Sequence, residues 1–384
     1  MRKKILRITT VSESLELLLG NQIDFIKKHY DVVMISQNND NGLVRLGEEK
    51  NLPVYPVNLT RKITPFQDLL ALFRLIKIIK KEKPEIIHTH TPKAGLIGML
   101  AARISGTKHR LHTVAGMPLL ETSGLKYYLL TWLERLNYKC ATRVYFNSKG
   151  LMNIVLDRKI SNNIKKFRVI AKGSTSGVDA DHFNPNDFSE NDLIKIRDQH
   201  NIKKSDTVLL FVGRIVKDKG VNELISAFKL LSSERNDVKL LLLGKFENDL
   251  NPISKEAFSE IKENKNILCL GHKKDVRPYF AISNFFVFPS YREGFPNVVL
   301  QAGAMGIPSI VSNINGSNEI IIDNLNGKIV PVKDTKALYL AMKDWYENPN
   351  DLSRMRNKSR QIIIESYSQK VVFHELLKEY NTFH

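Results

Sequence analysis

Two series of short β-rich runs, each alternating with stretches of helical periodicity, constrain this chain more than any other feature. The first series comprises residues 3–10, 32–36, 53–57, 86–89, 110–113, 143–146 and 168–171; the second comprises 207–212, 238–243, 267–270, 285–288, 309–312 and 328–330. Alternation of this kind builds parallel sheets with helices on both faces. Between the two series, residues 172–185 are rich in Gly, Ser, Asp and Pro and read as a crossing between domains. At 384 residues the chain can bury two α/β cores. The expected divisions are 1–185, 186–365 and a final helical run over 366–384.

The most informative segment of the second series is residues 290–309, Ser-Tyr-Arg-Glu-Gly-Phe-Pro-Asn-Val-Val-Leu-Gln-Ala-Gly-Ala-Met-Gly-Ile-Pro-Ser. A buried strand precedes it, and a glycine-containing loop leads to a helix opening near Asn297 and stopping before Gly306. Proline early in a helix and glycine after it suit those bounds. A strand, a glycine loop and a helix N-terminus together offer free backbone N–H groups and a positive dipole end to an anion. Glu293 in the loop and Gln301 a turn into the helix can hydrogen-bond hydroxyls. The strand at 207–212 ends in Phe-Val-Gly-Arg-Ile-Val-Lys-Asp-Lys-Gly, so Gly213 opens a tight loop flanked by Arg214 and Lys219. Arginine supplies a planar fork and lysine a point charge, both suited to phosphate oxygens.

Bulk properties narrow the function. The chain carries +18 overall; residues 1–190 hold 30 Lys+Arg against 17 Asp+Glu, and the remainder 28 against 23. A basic first half implies an acidic partner: anionic membrane, phosphorylated substrate or nucleic acid. No RNP-like aromatic strand or helix-turn-helix pattern accompanies the charge, so no nucleic-acid partner is expected. The first βα turn, Thr9-Thr-Val-Ser-Glu-Ser14, lacks the Gly-x-Gly-x-x-Gly of a dinucleotide site, which argues against a dehydrogenase. Cys140 and Cys269 sit in apolar runs and read as buried thiols in a reducing cytosol. Arg7 breaks the apolar start at once, which argues against a signal peptide, and no run approaches the roughly 18–20 apolar residues of a spanning helix; a cytoplasmic protein is expected.

Residues 66–83 form an amphipathic helical pattern, with Phe66, Leu69, Leu70, Phe73 and Ile76 at helical spacing and Arg74, Lys77, Lys80, Lys81 and Lys83 towards its end. A core-facing stripe is the expectation, with docking on anionic lipid as the alternative. Residues 117–138, with Leu119, Leu120, Tyr127, Tyr128 and Trp132, offer the same two readings. Three histidines are expected at strand ends, where open α/β sheets bind ligands: His88 between sheet and helix, His90 nearer the edge, and His112 after the next strand. His88-x-His90 lacks a third ligand at useful spacing, and Asp179-x-Asp181 lies in the crossing, so no metal is expected.

The segment Glu293-Gly-Phe-Pro-Asn-Val-Val-Leu resembles the Glu-(x)7-Glu signature of the retaining GT-B glycosyltransferases of family 4, with Gln301 where the family usually has its second glutamate. Gly213-Arg-x(4)-Lys-Gly, Gly177-Val-Asp-x-x-x-Phe and the register of Gly316 and Glu319 extend the resemblance almost end to end. It implies a GT-B fold, with two facing Rossmann-like domains, a cleft between them, and a last helix crossing back to the N-terminal domain. It further implies a nucleotide-sugar donor, a UDP-sugar, on the C-terminal domain. Gly213, Arg214 and Lys219 would face its diphosphate, Glu293, Gly294, Phe295, Pro296 and Asn297 the sugar and phosphates, Gln301 the ribose, and the loop carrying His272 the base. His112 would contact the sugar near the reacting centre. His90, Lys93 and Met117 would lie on the acceptor side. By the same resemblance the acceptor is a polyprenyl-diphosphate-linked sugar, as in capsule and O-antigen assembly. The enzyme would work peripherally on the anionic cytoplasmic face of the inner membrane, without a cofactor. The alternatives are a UDP-sugar epimerase of the same fold and, outside enzymes, a basic nucleic-acid-binding protein.

Overall fold

The computed structural model describes residues 2–60, 64–247 and 251–383. The chain divides into two compact units: Met1–Ser176 with Gln369–His384, and Gly177–Ser368.

In the first unit, seven parallel strands run in the order β3-β2-β1-β4-β5-β6-β7. They are β1 (Lys4–Val11), β2 (Asp31–Gln37), β3 (Val54–Pro56), β4 (Ile86–His90), β5 (His109–Val114), β6 (Arg143–Phe146) and β7 (Phe167–Val169). Side chains alternate across a strand, and the two faces feed separate cores. Leu6, Ile8, Val33 and Ile35 join one core, which includes Leu75, Ile97 and Val144. Ile5, Val32 and Met34 join the other, with Leu15, Ile23, Leu376 and Tyr380. The last two residues belong to the helix Gln369–Asn381, which thereby packs into this unit.

The second unit holds six parallel strands in the order β10-β9-β8-β11-β12-β13. They are β8 (Thr207–Val212), β9 (Val238–Leu243), β10 (Ile267–Gly271), β11 (Phe285–Phe288), β12 (Ser309–Ser312) and β13 (Gly327–Val330). Central strands β8 and β11 are almost wholly apolar, as a sheet covered on both faces requires. Each sheet reverses its strand order once, at β1/β4 and at β8/β11, and such switch points are where open α/β sheets bind ligands.

Three features differ from the sequence expectations. The division falls at Ser176/Gly177 rather than at 185, because Val178 is buried in the second unit's core and its N–H donates to the Tyr367 carbonyl at 2.9 Å. Cys140 is buried but Cys269 is exposed, since β10 is an edge strand. The helix Pro65–Glu82 turns Ala71, Leu75, Ile78 and Ile79 inward and leaves Phe66 (76% exposed), Leu69, Leu70 and Phe73 to solvent. The stripe expected to face the core is therefore an exposed apolar face. The helix Gly124–Cys140 does the same with Leu125 (89% exposed), Tyr128, Leu129 and Trp132, while Leu119 and Tyr138 are buried.

Candidate active site

The switch point of the second sheet collects most of the polar residues singled out in its sequence. After β8 the chain passes Gly213 and Arg214, makes a short 3-10 turn at Lys217–Lys219, and enters the helix Val221–Glu234 through Gly220. Gly220 has φ +71°, and a Cβ there would lie 2.0 Å from the Pro289 carbonyl oxygen. Only glycine lets the β8 loop press this closely on the segment that follows β11. That contact brings Lys219 beside Glu293.

Glu293 is held from three directions. Its Oε1 accepts from Lys219 Nζ and, at 2.9 Å, from Ser290 Oγ, while Asn315 Nδ2 donates to its backbone carbonyl. Both partners of the Lys219–Glu293 ion pair are largely shielded, at 17% and 16% exposed. The Lys219 ammonium also lies 5.4 Å from the centre of the Phe288 ring, an additional electrostatic attraction. Arg214 is freer: its guanidinium is half exposed and donates to Glu247 at 2.7 Å. The helix Asn297–Ala304 begins directly after Pro296, so its first N–H groups open onto the same region.

These elements enclose a cavity of about 490 Å³ within the second unit. Gly213, Arg214, Lys219, Glu293, Phe295, Pro296, Asn297 and Gln301 line it together. Lys274 and His182 also line it, whereas His272 and Gly294 do not. The loop after β10 turns at Gly271, with φ +66°, and leaves the His272 side chain exposed. The sequence marked this loop through its histidine, but the cation on the cavity wall is two residues later. Asp179 serves its own turn, its Oδ1 accepting from the backbone N–H groups of Asp181 and His182. No cluster of three metal-binding side chains occurs among the described residues.

Among the three histidines singled out in the first unit, His88 packs between sheet and helix as expected, and the other two are placed differently. His112 lies inside β5 rather than after it, is buried, and meets Thr89 Oγ1 at 2.9 Å through Nδ1. Burial pulls its pKa down to about 4, so the ring is neutral. His90 is also buried rather than near an edge, and Arg7 NH2 lies 3.0 Å from its Nε2. Arginine can only donate, so that nitrogen accepts and the proton sits on Nδ1. His88 reaches Tyr380 Oη through Nδ1 and Thr113 Oγ1 at 2.7 Å through Nε2. Burial holds both rings well below the usual imidazole range, with the neighbouring positive charge of Arg7 adding to it. Arg7 itself is fully buried and also donates to Gln22 Oε1 and, at 2.9 Å, to Tyr380 Oη. His88, His90 and Arg7 thus fasten the helix Gln369–Asn381 to the sheet. The sequence signal for this network was a lone arginine inside an apolar strand.

Of the acceptor-side candidates, Lys93 lines a second cavity of about 710 Å³ at the β1/β4 switch point. It is paired there with Asp68 at 2.6 Å. Met117 packs in the core, and the next two residues, Pro118 and Leu119, line that cavity instead.

Comparison with known proteins places this architecture. The sequence model of the family described as Glycosyl transferases group 1 matches residues 192–362, and that described as Glycosyl transferase 4-like matches residues 4–148. The capsular polysaccharide biosynthesis glycosyltransferase CapM of Staphylococcus aureus is 32% identical over 383 residues, which cover 99% of this chain and 97% of that protein. The chain belongs to the family-4-like GT-B glycosyltransferases. A second relative of this glycosyltransferase, 30% identical over 288 residues (74% of this chain, 72% of the relative), is the Escherichia coli UDP-Gal:alpha-D-GlcNAc-diphosphoundecaprenol alpha-1,3-galactosyltransferase. Among solved structures, a glycosyltransferase from Rickettsia africae ESF-5 superposes with a TM-score of 0.81 at 20% identity, covering 100% of this chain and 98% of that one. Anabaena Alr3699/HepE in complex with UDP gives 0.82 at 18%, covering 99% and 100%. These structural likenesses establish the fold, and the GT-B arrangement of two parallel sheets with flanking helices is the one seen here.

Proposed function

We propose that this glycosyltransferase moves a hexose or N-acetylhexosamine from a UDP-sugar to a lipid-linked sugar, with retention at the anomeric carbon, in surface polysaccharide assembly. The observation that carries the reading is the Lys219–Glu293 pair set beside Arg214 and Lys274 at the opening of the helix Asn297–Ala304. Three cations and a helix N-terminus suit a diphosphate, whose charge grows as the sugar leaves. Glu293 is left with carboxylate capacity for sugar hydroxyls, and Gln301 would meet the ribose as a neutral amide. In the transfer step the bond from the anomeric carbon to the phosphate oxygen breaks and that to the acceptor oxygen forms on the same face. The acceptor's hydroxyl proton passes to the departing phosphate, so no protein nucleophile is required and the charge is met by side chains rather than by a metal.

The names of the relatives support the substrate classes: the Escherichia coli protein uses UDP-Gal and a diphosphoundecaprenol-linked acceptor, and the Anabaena structure contains UDP. The reading places acceptor binding and membrane contact on the first unit. Phe66, Leu69, Leu70 and Phe73 present an apolar face on a helix that also carries Arg74, Lys77 and Lys80, a combination suited to the interface of an anionic membrane. No described helix is long and apolar enough to cross a membrane. The test is transfer from a panel of UDP-sugars to a diphosphoprenol-linked sugar, with the anomeric configuration of the product read by NMR. An α-linked product from an α-linked donor is expected; inversion, or release of free sugar nucleotide isomers without an acceptor, would overturn the reading.

A further inference from the structure

Lys219 and Glu293 reach the cavity from two different loops, and the residues just before them form a second ion pair between the same loops. Arg292 NH2 donates to Asp218 Oδ2 at 2.6 Å, and neither residue lines the cavity. The two pairs run with opposite polarity: the loop after β8 presents Asp218 then Lys219, and the loop after β11 presents Arg292 then Glu293. The charges therefore match in one register only. A slip of one residue would set Lys219 against Arg292 or Asp218 against Glu293, and like charges would meet.

Neighbouring contacts fix that register. The Tyr291 N–H donates to the Asp218 carbonyl at 2.9 Å. Tyr291 Oη lies 2.7 Å from both carboxylate oxygens of Glu223, in the first turn of the helix Val221–Glu234. Burial, with that hydrogen bond adding to it, raises the Tyr291 phenol above its ordinary value, so Tyr291 donates and Glu223 accepts. The Asp218 carboxylate is 16% exposed and the Arg292 side chain 47%. An ion pair with one partner this exposed adds little to global stability, so its effect lies in geometry. The Lys219–Glu293 pair needs such support. Its ammonium cannot serve Glu293 and a diphosphate at full strength together, and as the lysine turns to a phosphate the Asp218–Arg292 pair still ties the two loops.

We propose that Asp218 and Arg292 are positioning residues of the donor site, holding Lys219 and Glu293 in apposition while a nucleoside diphosphate draws on the lysine. They act through the residues that follow them, and neither is assigned a contact to the donor. Precise placement of a charge stabiliser depends on such supporting contacts. Without Arg292, the shielded Asp218 carboxylate loses its cation, and the cation next to it in the chain is Lys219. The lysine's charge is then shared with Asp218 rather than offered to a phosphate. Removing the Asp218 charge as well takes that competition away. This inference rests on the reading of the cavity as a donor diphosphate site.

The test uses the full chain and two readouts. The first needs no ligand: the coupling of Lys219 to Glu293 is measured by a double-mutant cycle of Lys219→Ala and Glu293→Ala in urea unfolding, with and without Arg292→Gln. The expected coupling is about threefold or more in the unfolding constant, falling by at least half when Arg292→Gln is present. The second readout is UDP affinity by calorimetry. Arg292→Gln should weaken it about tenfold, and Arg292→Lys should keep most of it. Asp218→Asn combined with Arg292→Gln should recover part of the loss. Added to Lys219→Ala, Arg292→Gln should change UDP affinity by less than about twofold, because it acts through the lysine. A Lys219–Glu293 coupling undiminished by Arg292→Gln would overturn the assignment. So would a full tenfold loss from Arg292→Gln on top of Lys219→Ala, which would make Arg292 a direct ligand. Diminished coupling in a protein that binds no UDP would support the positioning role and contradict the donor-site reading instead.

Discussion

Removing the Lys219 ammonium tests the proposed donor chemistry most sharply. In Lys219→Ala, Glu293 keeps Ser290 Oγ at 2.9 Å and the Asn315 contact to its carbonyl, so it has two remaining anchors. The lost group is a largely shielded cation facing a cavity of about 490 Å³. A unit charge about 4 Å from a phosphate oxygen is worth roughly 4 kcal/mol at an effective dielectric of about 20. Only the part that grows as the leaving group develops charge lowers the barrier. Loss of one such stabiliser costs about 2.7–4 kcal/mol in comparable sites, or about 10²–10³ in kcat. The expected result is therefore a fall in kcat of a hundredfold or more at saturating donor, measured as single-turnover transfer from UDP-sugar. Lys219→Arg should recover part of it, because the charge is kept but the compact geometry beside Glu293 is not. A kcat for Lys219→Ala within threefold of wild type, in protein with an unchanged thermal midpoint, would refute the assignment of this lysine to the leaving group.

Two further expectations concern the folded state. Glu134 has its pKa raised from 4.5 to about 7 by burial, so its contribution is fully present below about pH 4.5 and is lost as pH rises through about 7. At 1.36 kcal/mol per unit, wild type should lose about 3 kcal/mol relative to Glu134→Gln between pH 4.5 and 8, as read by denaturant unfolding; a pH-independent difference would contradict the burial of this carboxyl. Gly220→Ala should be severely destabilising or fail to accumulate, because its Cβ would meet the Pro289 backbone at 2.0 Å in addition to the strained φ of +71°. A stable variant with wild-type activity would show that the β8 loop can move away from Pro289 without consequence.

Much of the fold was legible because parallel strands covered on both faces write themselves as short apolar runs, and the helices between them keep their own period. The cluster at the β8/β11 switch point was legible for a related reason: Gly213, Gly220 and the Glu293–Asn297 loop are held by backbone requirements that leave specific residue types at fixed spacing. What the sequence could not reveal were choices made by tertiary neighbours. The 66–73 stripe has the spacing of a buried face, but the core is met by Ala71, Leu75 and Ile78 one step around the same helix. His112 and His90 look like ligand-facing residues in a strand-end context. Their rings instead point to Thr89 and Arg7 inside the unit, because strand alternation fixes the face and the described partners lie there. Cys269 required knowledge of strand order, since only the sheet topology makes β10 an edge. Lys274 belongs to no motif, and only the cavity it lines distinguishes it from other polar residues.

The most direct measurement of the central claim is calorimetric titration of the full chain with UDP, GDP and ADP, repeated on Arg214→Ala and Lys219→Ala. The account predicts selective binding of UDP that weakens in both variants, most where the shielded lysine is lost. Binding of none of the three nucleotides, or UDP binding indifferent to both substitutions, would contradict a donor site at the β8/β11 switch point.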